Sequence, residues 1–101
     1  MIVINARLVT DADSIAQLTA AIATMEQASR AEPGCRDYTF SVELNDPNIL
    51  RITELWDDLA ALAAHFETPH MAEFSRALQA HPPQSLDVHC FDATEVPLPR
   101  P

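Results

Sequence analysis

Three side chains from separate parts of the chain have the chemistry of a small-molecule site: Asn5, Trp56 and His65. The Asn5 amide both donates and accepts hydrogen bonds, so it can orient a carbonyl or hydroxyl group of a ligand. The Trp56 indole offers a flat apolar wall and one donor, which suits stacking on an aromatic ring. An imidazole such as that of His65 can transfer protons near neutral pH. Each residue also has a structural interpretation. Asn5 can be a strand residue whose amide is hydrogen-bonded within the protein, Trp56 can be a core aromatic, and His65 can be a structural residue at the edge of a helix.

Four further residues are candidates for binding a substrate: Arg7, Tyr38, Glu54 and His70. A buried Glu54 carboxylate can act as a base, or it can pair with Arg7 or Arg51. The Arg7 guanidinium can neutralise an oxyanion, or it can lie solvated at a rim. His70, like His65, can contribute an imidazole to a pocket or serve as a structural residue at the edge of a helix.

The cysteines and histidines do not predict a metal site. His65 and His70 are five residues apart across a predicted helix break, and neither a His-Glu-x-x-His motif nor a cysteine pair accompanies them. Cys35 and Cys90 are too few and too far apart for a disulfide framework. A catalytic Cys–His pair would need a third residue to orient the histidine, and the sequence shows no candidate for it. We therefore interpret the cysteines as reduced thiols and expect a cytoplasmic protein.

Composition limits the classes of function. The 101 residues include 15 acidic and 6 basic ones, for a net charge of −9, which disfavours nucleic acids and anionic membranes as partners. The single glycine, Gly34, excludes a glycine-rich phosphate loop. A length of 101 residues predicts one small domain, which we place at residues 1–93, with a proline-rich tail at 94–101.

The hydrophobic pattern predicts the order β-α-β-β-α-β, with the second helix broken at Thr68-Pro69. Strands are expected at about 2–9, 35–44, 49–56 and 86–93. The first helix should start at Asp11 or Asp13, and its stripe comprises Ile15, Leu18, Ile22, Met25 and Ser29. This order is typical of a ferredoxin-like α+β fold with an antiparallel sheet. The first and third strands are apolar on both faces, which predicts an interaction surface.

The helical segment before the break determines where His65 should lie. Its apolar residues follow one helical stripe: Leu59, Leu62, Ala63 and Phe66. His65 lies beside this stripe, so we expect its side chain at the rim of a pocket. The segment after the break has its own stripe of Met71, Phe74 and Leu78. Gly34 occupies the third place of a predicted type II turn, where φ must be positive.

Two motifs resemble those of the antibiotic biosynthesis monooxygenase family, and within it the small quinol-monooxygenase-like proteins. The first is E-x-W at 54–56 followed by A-L-x-x-H-x-x-T-P-H-M at 61–71. The second is E-P-G-C at 32–35 followed by Tyr38. The resemblance extends from about Ile2 to about Phe91.

The resemblance implies a homodimer whose two sheets meet face to face as an α+β barrel. It also implies oxidation of a quinol or polycyclic phenol by O₂ without flavin, haem or metal. In that chemistry a deprotonated, electron-rich phenol reacts with oxygen directly, inside an apolar pocket with few polar groups. Asn5 would orient the substrate, Trp56 would stack on it and His65 would deprotonate it. Tyr38 would donate to a quinone oxygen or fill the interior.

Two other interpretations are open to test. Haem-degrading relatives need an axial histidine late in the last helix, and this chain has none between Phe74 and His81, so we expect no haem.

The main alternative to an enzyme is a non-enzymatic dimeric module that binds a small molecule. An open interior lined by Asn5, Trp56 and a histidine favours the enzyme, whereas a filled interior favours the module.

Overall fold

The computed structural model describes residues 1–100, which form a four-stranded sheet with helices on one face. The elements are β1 (Ile2–Val9), α1 (Ala12–Arg30), β2 (Cys35–Glu43), β3 (Asp46–Trp56), α2 (Leu59–His65), α3 (Pro69–Ala80) and β4 (Ser85–Asp92). The strand order is β2-β3-β1-β4, and every neighbouring pair is antiparallel. The predicted ferredoxin-like α+β fold is confirmed, with α2 and α3 as the two parts of the broken helix.

The core lies between the helices and one face of the sheet. Because strand side chains alternate, every second residue of β1 is buried under the helices: Ile2, Ile4, Ala6 and Leu8. Leu18 and Met25 of the predicted α1 stripe pack onto this side and are also buried. The outer face of the sheet carries the intervening residues of β1, among them Asn5 and Arg7.

The predicted helix starts agree with the structure. The Asp11 carboxylate caps α1 by accepting a hydrogen bond from the Ser14 backbone N–H at 2.7 Å. The Thr68 hydroxyl caps α3 by accepting from the Met71 N–H at 3.3 Å, and Pro69 is the first residue of that helix. These short-range signals fix where the chain leaves the sheet.

The β2–β3 hairpin is tighter than predicted. We expected a turn over 45–48 and a strand from residue 49, whereas Leu44 and Asn45 alone connect the strands and β3 begins at Asp46. Pro47 is thus the second residue of the strand. A proline is tolerated there because the end of a strand does not need every N–H for the ladder.

The predicted buried stripe of α2 is correct for Leu62 and wrong for its other members. Leu59 and Phe66 are 64% and 57% exposed, and the helix buries His65 beside Leu62. These two are three residues apart and therefore lie on the same side of the helix. With only seven residues, α2 makes too few turns for its apolar pattern to determine its orientation.

The edge strand β4 is uncovered. All eight of its residues are exposed, and it pairs with β1 on one side. Leu86 and Val88 lie opposite Leu8 and Ala6, on the side of the sheet that faces the helices. Phe91 lies opposite Val3, on the outer face. Apolar side chains are therefore exposed on both faces of β4.

Residues 93–100 contain neither a helix nor a strand. Within residues 1–100, the helices are too short or too polar to cross a membrane.

The turn at 32–35 brings the end of α1 against α2. Gly34 has φ +83°, as predicted for the third place of a type II turn. Its carbonyl accepts a hydrogen bond from the Asp57 N–H at 2.8 Å. A Cβ atom at this position would lie 2.7 Å from the Ala61 Cβ. The turn therefore needs glycine both for its backbone angle and for its close approach to the helix.

Gly34→Ala should destabilise the fold by about 2 kcal/mol and lower Tm by about 10 °C, because it combines an unfavourable φ with a steric clash. Thermal unfolding followed by circular dichroism measures the change. A second variant, Ala61→Gly, removes the atom that would clash. The two changes together should cost less than their sum, and strict additivity would contradict the close approach.

Candidate functional site

A cavity of about 280 Å³ lies between the sheet and the helices. Its walls are mainly apolar side chains, including Ile4, Ile52 and Phe74. Phe66 and Val88 also line it and are exposed, so the cavity opens on the side of β4. An apolar cavity that is open to solvent on one side is typical of a small-molecule pocket.

Glu54 brings a carboxyl group into this apolar lining. Strand pairing sets Glu54 between Ile4 and Tyr38, on the helix-facing side of the sheet. The Trp56 indole N–H donates to Glu54 Oε1 at 3.0 Å. Burial raises the pKa of the Glu54 carboxyl, although the Trp56 hydrogen bond and nearby His65 oppose the rise. A carboxyl with a raised pKa in a cavity is a candidate acid or base.

Asn5 and Arg7 lie on the opposite face of the sheet, away from the cavity. Asn5 is exposed. The Arg7 and Arg51 side chains both donate to Glu43 Oε2, at 3.1 and 3.0 Å. Glu54 therefore does not pair with either arginine, and that interpretation of the sequence is wrong. The structure does not bring Asn5 or Arg7 together with the other candidate residues.

His65 is a buried residue and not a rim residue, so its predicted position is wrong. Its side chain is 1% exposed. The imidazole ring lies 4.9 Å from the Trp56 ring and 5.2 Å from the Tyr38 ring, measured between centroids. A polar ring can be buried this deeply only when its nitrogen atoms find partners.

Glu32 supplies that partner, and it binds both histidines. His65 Nδ1 and His70 Nε2 each lie 2.7 Å from the same atom, Glu32 Oε2. A carboxylate accepts hydrogen bonds, so both imidazole N–H groups donate to it. Three elements thus meet at one oxygen: the turn after α1, the end of α2 and the first turn of α3. The structure therefore brings His65 and His70 together across the helix break.

Glu32 is the site residue that the sequence analysis missed. The sequence identifies it only as the first residue of the E-P-G-C turn. The signal that could have found it is this turn, because a turn reverses the chain and can bring its first residue against another element. Its distance of 33 residues from His65 in the sequence hid the contact.

Tyr38 and Trp56 have different relations to the cavity. Tyr38 lines it, and burial together with the neighbouring Glu54 carboxylate raises the pKa of its phenol. The phenol therefore stays protonated and can donate a hydrogen bond. Trp56 is completely buried, and its indole N–H is bound to Glu54. Trp56 therefore holds the carboxyl in place and presents no free face to a ligand.

The family profile described as antibiotic biosynthesis monooxygenase matches residues 1–77. The chain belongs to this family. An uncharacterised protein of Synechocystis is 34% identical over 73 residues, which are 72% of this chain and 50% of that relative, so the chain spans about half of its length.

Solved structures agree with this assignment. A Deinococcus radiodurans protein assigned to the same family has a TM-score of 0.86 and 30% identity, covering 95% of both chains. Another antibiotic biosynthesis monooxygenase has a TM-score of 0.83 and 27% identity, covering 94% of this chain and 100% of its own.

The raised pKa of Glu54 predicts a pH-dependent cost to stability. The folded state binds the proton more tightly than the unfolded state, whose pKa stays near the ordinary value of 4.5. Stability therefore falls as pH rises from that value through the folded pKa. Glu54→Gln removes the titration and keeps an acceptor for Trp56, so its stability relative to the unmodified protein should be higher at about pH 8 than at about pH 4.

Urea unfolding of both proteins at the two pH values measures this difference. Glu67→Gln, at an exposed position, is the matched control and should show no such trend. If the relative stability of the Glu54 variant is the same at both pH values, the carboxyl titrates normally in the fold.

Proposed function

We propose that this protein is a cofactor-independent monooxygenase that oxidises a quinol or phenol with O₂ in the cavity. The observation that carries the proposal is the Glu54 carboxyl, which has a raised pKa inside an apolar cavity of a chain of this family. A carboxyl whose pKa is shifted towards neutral pH is a stronger proton acceptor than an ordinary carboxylate and is still available in its ionised form.

In the proposed reaction, Glu54 accepts the proton of the substrate hydroxyl. The resulting anion is electron-rich and gives electrons to O₂, and a carbon–oxygen bond forms at a ring carbon that carries hydrogen. Glu54 returns its proton to the peroxide oxygen, and the hydroperoxide formed there then loses water and leaves a carbonyl group. One oxygen atom enters the product and the other leaves in water, so the substrate supplies all the electrons. The apolar walls exclude bulk water from the anion.

The neighbouring side chains have supporting roles in this proposal. The protonated Tyr38 phenol donates to a substrate oxygen and stabilises developing negative charge. Trp56 orients Glu54 through its hydrogen bond, and His65 packs against Trp56. The proposal thus moves the base from His65, the candidate from sequence, to Glu54, because Glu54 lines the cavity. His65 and Trp56 become positioning residues.

The size of the cavity limits the substrate. About 280 Å³ is just below the usual range for ligand pockets, which begins at about 300 Å³. This favours a compact quinol over a large polycyclic phenol.

Glu54→Gln should reduce kcat for quinol oxidation by at least about 100-fold, because it removes the base and keeps the size of the side chain. Oxygen uptake across a panel of quinols and phenols identifies a substrate and then measures the variants. Glu67→Gln is the control and should stay within about twofold of the unmodified protein.

His65→Ala distinguishes the two candidate bases. Loss of the buried imidazole should lower Tm as well as kcat, whereas Glu54→Gln should lower kcat without lowering Tm at neutral pH. Full activity of the Glu54 variant would assign the proton transfer elsewhere. Tight ligand binding without oxygen uptake anywhere in the panel would favour the non-enzymatic binding module.

We also propose that the protein is a homodimer. Leu86, Val88 and Phe91 are each about half exposed, and they lie on both faces of the uncovered strand β4. Val96 and Leu98 of the following segment are exposed as well. Exposed apolar residues grouped in this way indicate an interface. A second copy is the occupant we favour, since the family resemblance implies two sheets that meet face to face and Phe91 lies on the outer face, where they would meet.

Sedimentation at micromolar concentration should give twice the chain mass of 11.1 kDa. Phe91→Glu places a charge on the outer face of β4 and should shift the protein towards the monomer, since a charge buried in an interface without a partner is unfavourable. Leu59→Glu, an exposed apolar position on the helix side, should leave the dimer intact. A stable monomer in the unmodified protein would refute the interface.

A further inference from the structure

We propose that Glu32, His65 and His70 form a binding site for a divalent transition-metal ion of the zinc type. The cluster is separate from the cavity, because none of the three side chains is among the residues that line it in the described part of the chain. The inference goes beyond the proposed oxidation and does not depend on it. It reverses the expectation from sequence that the two histidines would not form a metal site.

The three ligand atoms already converge. Both imidazole nitrogens lie 2.7 Å from Glu32 Oε2, and all three atoms lie within 4.8 Å of one another. Zinc binds nitrogen and oxygen at about 2.0–2.2 Å, so ligand atoms around a tetrahedral ion are separated by roughly 3.3 Å. An increase of about 0.6 Å in each His–Glu separation, with the His65–His70 nitrogen separation closing from at most 4.8 Å, would therefore admit the ion. Small side-chain rotations can supply that change.

The backbone around the cluster is fixed before any ion binds. The Gly34 turn holds Glu32 against α2. The Thr68 hydroxyl donates to the His65 carbonyl at 2.6 Å and caps the helix that carries His70. The Trp56 ring supports one side of the His65 imidazole. Such support reduces the reorganisation needed for binding.

The environment of the cluster favours entry of a cation from one side. The His65 side chain is buried, whereas the Glu32 and His70 side chains are 11% and 16% exposed. The ion would enter beside His70, and water would complete its coordination there. The net charge of −9 draws cations towards the protein.

The donor set selects the class of ion. Two imidazole nitrogens and one carboxylate oxygen suit Zn²⁺ and similar transition metals. Mg²⁺ and Ca²⁺ prefer sites made of oxygen ligands. The bound ion would replace the two hydrogen bonds to Glu32 and would link the turn after α1, α2 and α3 more tightly.

Protein freed of metal by a chelator provides the test. Zn²⁺ titration by calorimetry should give one ion per chain, and Co²⁺ should produce the visible absorption of a tetrahedral site. At a Zn²⁺ concentration about 100 times Kd, Tm should rise by about 10 °C. Mg²⁺ at the same concentration should produce no rise.

His70→Ala should weaken Zn²⁺ binding by at least about tenfold. Its ring is partly exposed, so the variant should fold, and its unliganded Tm verifies this. Glu32→Gln, provided that this variant folds, tests whether the carboxylate is a ligand. His89→Ala, an exposed histidine on β4, is the control and should bind as the unmodified protein does.

Two outcomes would overturn the metal site. One is the absence of any rise in Tm with Zn²⁺. The other is an equal rise in the unmodified protein and in His70→Ala, which would show ions binding elsewhere on the surface. The cluster would then be a hydrogen-bonded clamp only. Glu54→Gln should bind Zn²⁺ normally, so failure of the proposed oxidation and failure of the metal site give different results.

Discussion

A single carboxylate oxygen, Glu32 Oε2, joins the turn after α1 to helices α2 and α3. Burying the His65 imidazole without a partner would cost about 1–3 kcal/mol, and Glu32 removes that cost. The buried imidazole then packs against the Trp56 ring, and the Trp56 N–H binds Glu54. The position of the one carboxylate in the cavity therefore depends on another carboxylate that does not touch the cavity.

Strong local signals made much of the fold predictable from the sequence. Helix α1 is long enough for its apolar stripe to repeat several times, and Leu18 and Met25 are buried as expected. Gly34 and Pro69 each allow few backbone conformations, and both are where the turn and the helix start require them. The hairpin and α2 were harder, because a two-residue connection and a seven-residue helix are shaped by their neighbours.

The site was predictable only in part. Strand alternation correctly grouped Glu54 with Trp56, and Asn5 with Arg7. It did not show which group faces the helices, because β1 and β3 carry apolar residues on both faces. Register decides this question, and it places Glu54 opposite Ile4 and not opposite Asn5. The contacts of Glu32 with the two histidines could not be predicted from the sequence, because the turn and the two helices are close together only in the folded chain.

The uncovered strand β4 has a consequence for protection of the backbone. Its amides are held by hydrogen bonds to β1, with little side-chain packing over them in the described chain. Regions of this kind open at a lower free energy than central strands such as β3, so their amide hydrogens exchange with solvent sooner. Leu86 and Val88 belong to β4 and also wall the cavity. Fraying of this strand in a lone chain would therefore widen the entrance to the cavity, and a ligand entering there would first meet the wall that is held by a single neighbouring strand.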